Sequence, residues 1–151
     1  MNSNYKELLA AAEAAAKNSY SPYSHFAVGS AVLVSDGKIY LGSNIENAAY
    51  SLTNCAERSA LFNAVSNGAL SNVALPGGTL SNEAFAVGKQ EILALAVWTQ
   101  KGGIFPCGAC RQVILELAPK ADIIINGVGG KITVLKVSDL MPFSFGKENL
   151  K

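Results

Sequence analysis

The stretch EILALAVWTQ, residues 91–100, constrains the fold of this chain more than any other. From Ile92 to Trp98 no polar residue interrupts it. Strands alternate their side chains between two faces, so a strand that is apolar at every position is buried on both. A sheet holding such a strand needs cover above and below. The remainder of the chain offers helices for that purpose. Residues 4–18, NYKELLAAAEAAAKN, are alanine-rich and of high helix propensity, with Leu8 and Leu9 on one side. SYSPYSHF then breaks the helix at Pro22. Two apolar runs, 27–34 and 38–43, flank Asp36-Gly37 and predict a hairpin. In NCAERSALFNAVSNG, residues 54–68, Ala56, Ala60, Leu61, Ala64 and Val65 recur at helical spacing, and Asn67-Gly68 closes the helix. A third helix is expected between Pro106 and Pro119. ADIIINGV and KITVLKV predict two short strands, and residues 139–150 form a tail with one helical turn at most. The order α-β-β-α-β-α-β-β predicts a layered α/β domain with helices on a mixed sheet.

Residues 69–90 fit neither pattern. They contain Pro76-Gly77-Gly78 and show no clean period. A structureless stretch of this length inside a compact domain is uncommon and often functional.

The chain is 151 residues long, half of them hydrophobic and 15% charged. That composition predicts a single domain with a sizeable core and argues against disorder. A formal net charge of +1 leaves no electrostatic footprint for nucleic acid or an anionic membrane. Such low charge also suggests that part of the surface is covered by other subunits. No run approaches the roughly 18–20 apolar residues that span a bilayer, and no leader pattern is visible at the N-terminus. A cytoplasmic location is expected.

The cysteines carry the chemistry. There are three, Cys55, Cys107 and Cys110, an odd number that fits a disulfide framework poorly. Cys107 and Cys110 form a Cys-x-x-Cys pair in PCGAC, and Cys55 stands at the start of another helix. A redox pair would leave Cys55 unexplained, and a structural zinc site would want a fourth ligand. The lone His25 reads as an ordinary polar residue in a turn before a strand. Three protein ligands with an open fourth position describe a catalytic zinc. Glu57 lies two residues beyond Cys55 on the first helical turn, beside the metal without binding it, where a carboxylate can move protons. Three thiolates and Zn²⁺ sum to −1, so compensation is required. Arg58, Arg111 and the two helix N-termini are the groups able to supply it.

With those residues in place, the sequence resembles the small, single-domain cytidine deaminases, in the version with three cysteine ligands. The zinc deaminase signature of His-x-Glu followed by Pro-Cys-x-x-Cys stands here as CAE at 55–57 and PCGAC at 106–110, with Cys in place of His. SPYSHFAVGSAV, GSNIENAAYSLTNCAER, PCGACRQV and DLMPFSFGKENL stand where that family carries its motifs. The resemblance implies a three-layer α/β/α fold with a five-stranded mixed sheet, spanning residues 1–151 as one domain. It implies one zinc per chain and a homotetramer with shared active sites. Phe26 would line the base pocket, Asn44 and Glu46 would hold ribose hydroxyls, and the Ala56 backbone would meet the pyrimidine edge. Phe145 would be lent to a neighbour's base, and Tyr50 would lie near a subunit boundary. The implied reaction is hydrolytic deamination of cytidine, and of 2′-deoxycytidine, with Glu57 moving the protons. Two features depart from the family pattern. The 69–90 segment is longer than the usual connection, and Phe105 stands where serine is more usual. One alternative is a deaminase of another free nucleoside or of a blasticidin-like aminopyrimidine. The other is a non-catalytic zinc-stabilised interaction domain, against which Glu57 argues.

Overall fold

The computed structural model describes residues 3–70 and 90–150. Nearly all of the expected irregular segment, residues 71–89, therefore lies outside the described residues. Nine elements follow in order: α1 (Ser3–Ala16), β1 (Val28–Val34), β2 (Ile39–Ser43), α2 (Ala56–Ser66), β3 (Ile92–Thr99), α3 (Gly108–Leu117), β4 (Asp122–Asn126), β5 (Ile132–Lys136) and α4 (Val137–Leu140). The strands form one five-stranded sheet in the order β2-β1-β3-β4-β5. Only β3 and β4 run parallel, and α3 is their crossover; the other neighbouring pairs are antiparallel. The mixed sheet expected from the sequence is present, and β3, the uninterrupted apolar run, is its central strand.

Alternation along the strands sorts the core into two layers. Ala31, Ala96 and Ile124 stand opposite one another across β1, β3 and β4. They pack with Leu8, Leu9 and Ala12 of α1. One residue along, Val32, Leu95 and Ile123 form the matching row on the other face. That row packs with Leu61 of α2 and Ile114 of α3. Each such Leu or Ile, fully buried, contributes roughly 1.5–3 kcal/mol. The α1 layer uses small residues because the helix sits very close. A Cβ added at Gly29 of β1 would lie 1.9 Å from the Ala12 carbonyl oxygen. The tail differs slightly from expectation. Its residues make α4 and a separate 3-10 turn at Lys147–Leu150, two turns instead of one. Among the described residues no helix is long and apolar enough to cross a membrane.

Candidate metal centre and active site

α2 and α3 lie side by side on one face of the sheet, and both begin at a cysteine. Cys55 is the N-cap of α2 and Cys107 the N-cap of α3, each with extended backbone. Cys110 follows on the first turn of α3 and is fully buried. The three sulfurs lie within 4.8 Å of one another, and no other metal-ligating cluster occurs among the described residues. Cys107 Sγ is 3.9 Å from Cys55 Sγ and 3.5 Å from Cys110 Sγ. Two sulfurs bound tetrahedrally to zinc at about 2.3 Å stand ~3.8 Å apart. The donor set and its spacing therefore fit zinc. All three cysteines are free thiols, and His25 is not among the clustered donors.

Without metal, Cys55 and Cys110 differ sharply in their hold on a proton. Hydrogen bonding with Cys110 is the main cause that lowers Cys55 to about 5; Arg58 and Cys107 add to it, and burial opposes it. The same bond to Cys55, with burial, pushes Cys110 far up. Arg58 Nη2 donates to the Thr53 carbonyl at 3.0 Å and approaches Cys55 Sγ at 3.8 Å. A guanidinium at this distance is in a position to offset negative charge on the sulfurs. Its Nε is buried without a partner among the described residues. Arg111 does not share the task. It donates to the carbonyls of Pro106 at 2.8 Å and Leu140 at 2.9 Å, tying the start of α3 to the end of α4.

Glu57 is 5% exposed. Burial raises its carboxyl above the ordinary range, and the negative charge at Cys55 adds to this; hydrogen bonds from its own backbone amide and from Cys110 work against it. A carboxyl whose pKa burial raises, next to a metal-ligating cluster, is equipped to give and take protons. Ala56, between ligand and carboxyl, is fully buried as the first residue of α2, where the helix itself leaves the backbone amide without a partner.

A cavity of about 330 Å³ lies beside this centre, lined by Tyr23, Ser24, Glu46, Tyr50 and Thr53. The backbone brings its walls together. Ile45 bridges to Tyr20 on one side and Asn54 on the other. Glu46 accepts hydrogen bonds from the amides of Tyr23, at 2.9 Å, and Ser24, at 3.2 Å, and from the Ser24 hydroxyl. The Ser24 hydroxyl is the largest cause that lowers its pKa. Asn44 is more deeply committed. Its Oδ1 accepts from Ser19 Oγ at 2.6 Å and from the Val28 amide at 2.9 Å, and its Nδ2 donates to the Phe26 carbonyl at 2.9 Å. That leaves one amide hydrogen for any ligand. Phe26 is half-buried, and its amide bonds to Ser24 Oγ. The loop also holds His25 at φ 54, a left-handed conformation uncommon outside glycine, which histidine adopts more readily than most residues. Tyr50 is exposed and meets Tyr23 edge to face at 6.2 Å. Phe145 stands apart from these groups. It is 60% exposed, and its carbonyl accepts from Gln112 Nε2 at 3.0 Å. The reading of the sequence assigned no role to Ser19, Ser24 or Thr53, whose side chains bond Asn44, Glu46 and the Asn47 amide.

The description "Cytidine and deoxycytidylate deaminase zinc-binding region" matches residues 2–126, which include all three cysteines and Glu57. The chain belongs to the cytidine deaminase family. It is 42% identical to a cytidine deaminase from Sporosarcina psychrophila over 146 residues, 96% of this chain and 93% of the other. It is 38% identical to one from Mycobacterium tuberculosis over 137 residues, 90% and 85% of the two chains. The 1.6 Å crystal structure of a cytidine deaminase from Burkholderia pseudomallei superposes with a TM-score of 0.75 at 40% identity, covering 96% of this chain and 100% of that one. The three-layer fold with its five-stranded mixed sheet, expected from the resemblance, is thus the fold of this family. Its zinc-binding region holds the Cys55, Cys107 and Cys110 cluster.

Proposed function

We infer that this chain hydrolyses cytidine, and 2′-deoxycytidine, to the uridine counterpart and ammonia, with Glu57 as the catalytic acid and base. One observation carries the assignment of roles: three sulfurs at zinc spacing with a buried carboxyl on the next helical turn residue. Bound zinc supplies a Lewis acid with an open position, which lowers the pKa of a water it holds to about 7. Cys55, Cys107 and Cys110 hold that metal, and Arg58 offsets the excess negative charge of the sulfurs. Glu57 takes a proton from the attacking water and delivers it to ring N3 as C4 is attacked. It then carries the proton of the new C4 hydroxyl to the amino group, and the C4–N bond breaks to release ammonia as the C4 carbonyl forms. Burial supports both duties, because a raised pKa makes the carboxylate a stronger base towards water and lets it hold the proton that it then donates.

Asn44 and Glu46 position the nucleoside. Asn44 offers its remaining amide hydrogen to a ribose hydroxyl, and Glu46 accepts from another while holding the Tyr23–Ser24 backbone in place. Phe26 lines the base pocket, and the Ala56 backbone meets the pyrimidine edge. The substrate class is a free nucleoside, and the 151 residues act as one deaminase domain. Exposed Tyr50, Phe143 and Phe145 support a homotetramer in which Phe145 reaches a neighbour's base and Tyr50 lies at the boundary. Three thiolate ligands suit a reducing compartment, which supports a cytoplasmic location.

The test is ammonia release from a panel of nucleosides and aminopyrimidines by zinc-loaded protein. Cytidine should be turned over, and Glu57→Gln should bind zinc yet lose ~10²–10⁴-fold in turnover. Zinc-loaded wild type that is inert on cytidine would refute the activity. Near-normal turnover by Glu57→Gln would refute the role of the carboxyl.

A further inference from the structure

A second and larger cavity, of about 450 Å³, lies away from the cysteines, between α1 and the loops that follow β3 and β4. Lys6, Lys101 and Lys131 line it, with Glu13 as the one acidic group among its lining side chains. These three lysines differ from the paired ones of the chain. Lys38, Lys120, Lys136 and Lys147 each pair with a carboxylate. Lys6, Lys101 and Lys131 enter none of the ion pairs among the described residues, although they converge on one hollow. Converging unpaired cations repel one another, a cost that an anionic ligand would remove.

Glycine backbone forms part of the lining, at Gly102, Gly127, Gly129 and Gly130. Gly102 and Gly103, after β3, have φ of 67° and 68°, and Gly129 and Gly130, after β4, have φ of 70° and 78°. The two loops lock together. The Gly103 amide donates to the Asn126 carbonyl, and a Cβ on Gly102 would lie 2.7 Å from the Gly127 oxygen. Gly129 and Gly130 are different, since a Cβ on either would meet nothing within 4 Å. Their left-handed backbone is thus open to an approaching group rather than packed against the protein. Turns of this type, with lysines at their rim, suit phosphate oxygens. Trp98, the chain's one tryptophan, lines the same cavity and offers an aromatic surface.

We propose that this cavity binds a nucleoside polyphosphate, its phosphates held by Lys6, Lys101 and Lys131 over the Gly129–Gly130 turn and its base stacked on Trp98. Glu13 then accepts a hydrogen bond from a ribose hydroxyl or an exocyclic amine of the ligand. The site is independent of the deaminase assignment, because it shares no residue with the cysteine centre or with the cavity beside it.

Trp98 makes the test direct, since tryptophan emission reports on this cavity alone. Zinc-loaded protein is titrated with magnesium ATP, whose purine keeps it from acting as a pyrimidine substrate, and in parallel with inorganic triphosphate and with adenosine. ATP should change the emission saturably, and adenosine and triphosphate should bind at least about tenfold more weakly, each lacking half of the contacts. The double variant Lys101→Gln/Lys131→Gln should weaken ATP roughly tenfold, as the loss of two partly exposed charge contacts implies. Lys101→Arg/Lys131→Arg should largely restore it. No saturable response to ATP, or an unchanged response in the Gln variant with an unchanged Tm, overturns the site. Triphosphate that binds as tightly as ATP overturns the stacking on Trp98 and with it the nucleotide assignment.

Discussion

Substituting Gly42 by alanine should loosen the zinc site from a distance. Gly42 lies in β2 and faces the backbone of α2. A Cβ there would sit 2.2 Å from the Ala60 nitrogen, 2.6 Å from the Ala56 oxygen and 2.8 Å from the Ala60 Cα. All three are backbone atoms, so no side chain can swing aside. Reaching ordinary contact at 3.4 Å requires α2 to retreat by about 1.2 Å from β2. Cys55 caps the start of that helix, whereas Cys107 and Cys110 belong to α3 and stay behind. Metal–ligand distances tolerate only about 0.2 Å. Gly42→Ala should therefore cost ~1–3 kcal/mol from overpacking, or ~2–12 °C in Tm at about 2–4 °C per kcal/mol. Zinc affinity should fall roughly 10–100-fold, as it does when groups that orient ligands are disturbed. Gly29→Ala is the matched control. Its Cβ would strike Ala12 and Ala16 of α1, on the opposite face of the sheet. It should lower Tm at least as much while leaving zinc affinity intact. Competition with a zinc chelator, read by elemental analysis, and thermal melts of both variants give the comparison. Zinc bound as tightly by Gly42→Ala as by wild type, or lost equally by Gly29→Ala, would refute the claim that close β2–α2 packing sets the site.

Metal-free Glu57→Gln should melt above the metal-free wild type at neutral pH. A buried carboxyl with a raised pKa resists ionisation while the unfolded chain ionises near pH ~4.3. The wild type thus loses stability as pH rises above that value, and the two melting curves should converge in acid; a gap independent of pH would exclude this cause. Phe145→Ala should raise KM for cytidine by the equivalent of ~1–3 kcal/mol, one base stack, with zinc retained. Light scattering across a dilution series should find a tetramer, and a fully active monomer would contradict the shared site. Gly108→Ala should leave stability unchanged or raise it by up to ~1 kcal/mol, since its Cβ meets nothing within 4 Å. If its turnover nevertheless falls, a ligand passes over that position.

The sequence was most informative where local pattern and long-range packing agree. The apolar run at 92–98 became the central strand because both its faces are covered along most of its length, with Leu93 exposed near its start. Cys55 and Cys107 could be read as helix starts because the patterns after them are helical. The cluster could be assembled on paper because few residue types bind zinc. What stayed hidden depends on partners far along the chain. Nothing near Arg111 indicates that its guanidinium turns to the Leu140 carbonyl rather than to a sulfur. Glu46 and Asn44 were read as ligand groups, yet most of their hydrogen-bonding capacity secures the loop from Ser19 to Val28. Only folded geometry places those backbone amides within reach. The strand order β2-β1-β3-β4-β5 was equally illegible, because alternation reveals which face a residue occupies and not which strand lies beside it.

The sulfur contact between Cys55 and Cys107 spans 52 positions of chain. Zinc held there acts as a staple, and the ring that it closes contains residues 71–89. Ring closure grows costlier only logarithmically with length, about 0.6 kcal/mol for each doubling. The described residues on either side of that stretch belong to separately packed elements, α2 and β3. Residues can therefore be gained or lost between them at small thermodynamic cost while the ligands keep their spacing. The spacing of the metal ligands is thus set by α2, β3 and α3 and not by the number of residues that the zinc ring encloses.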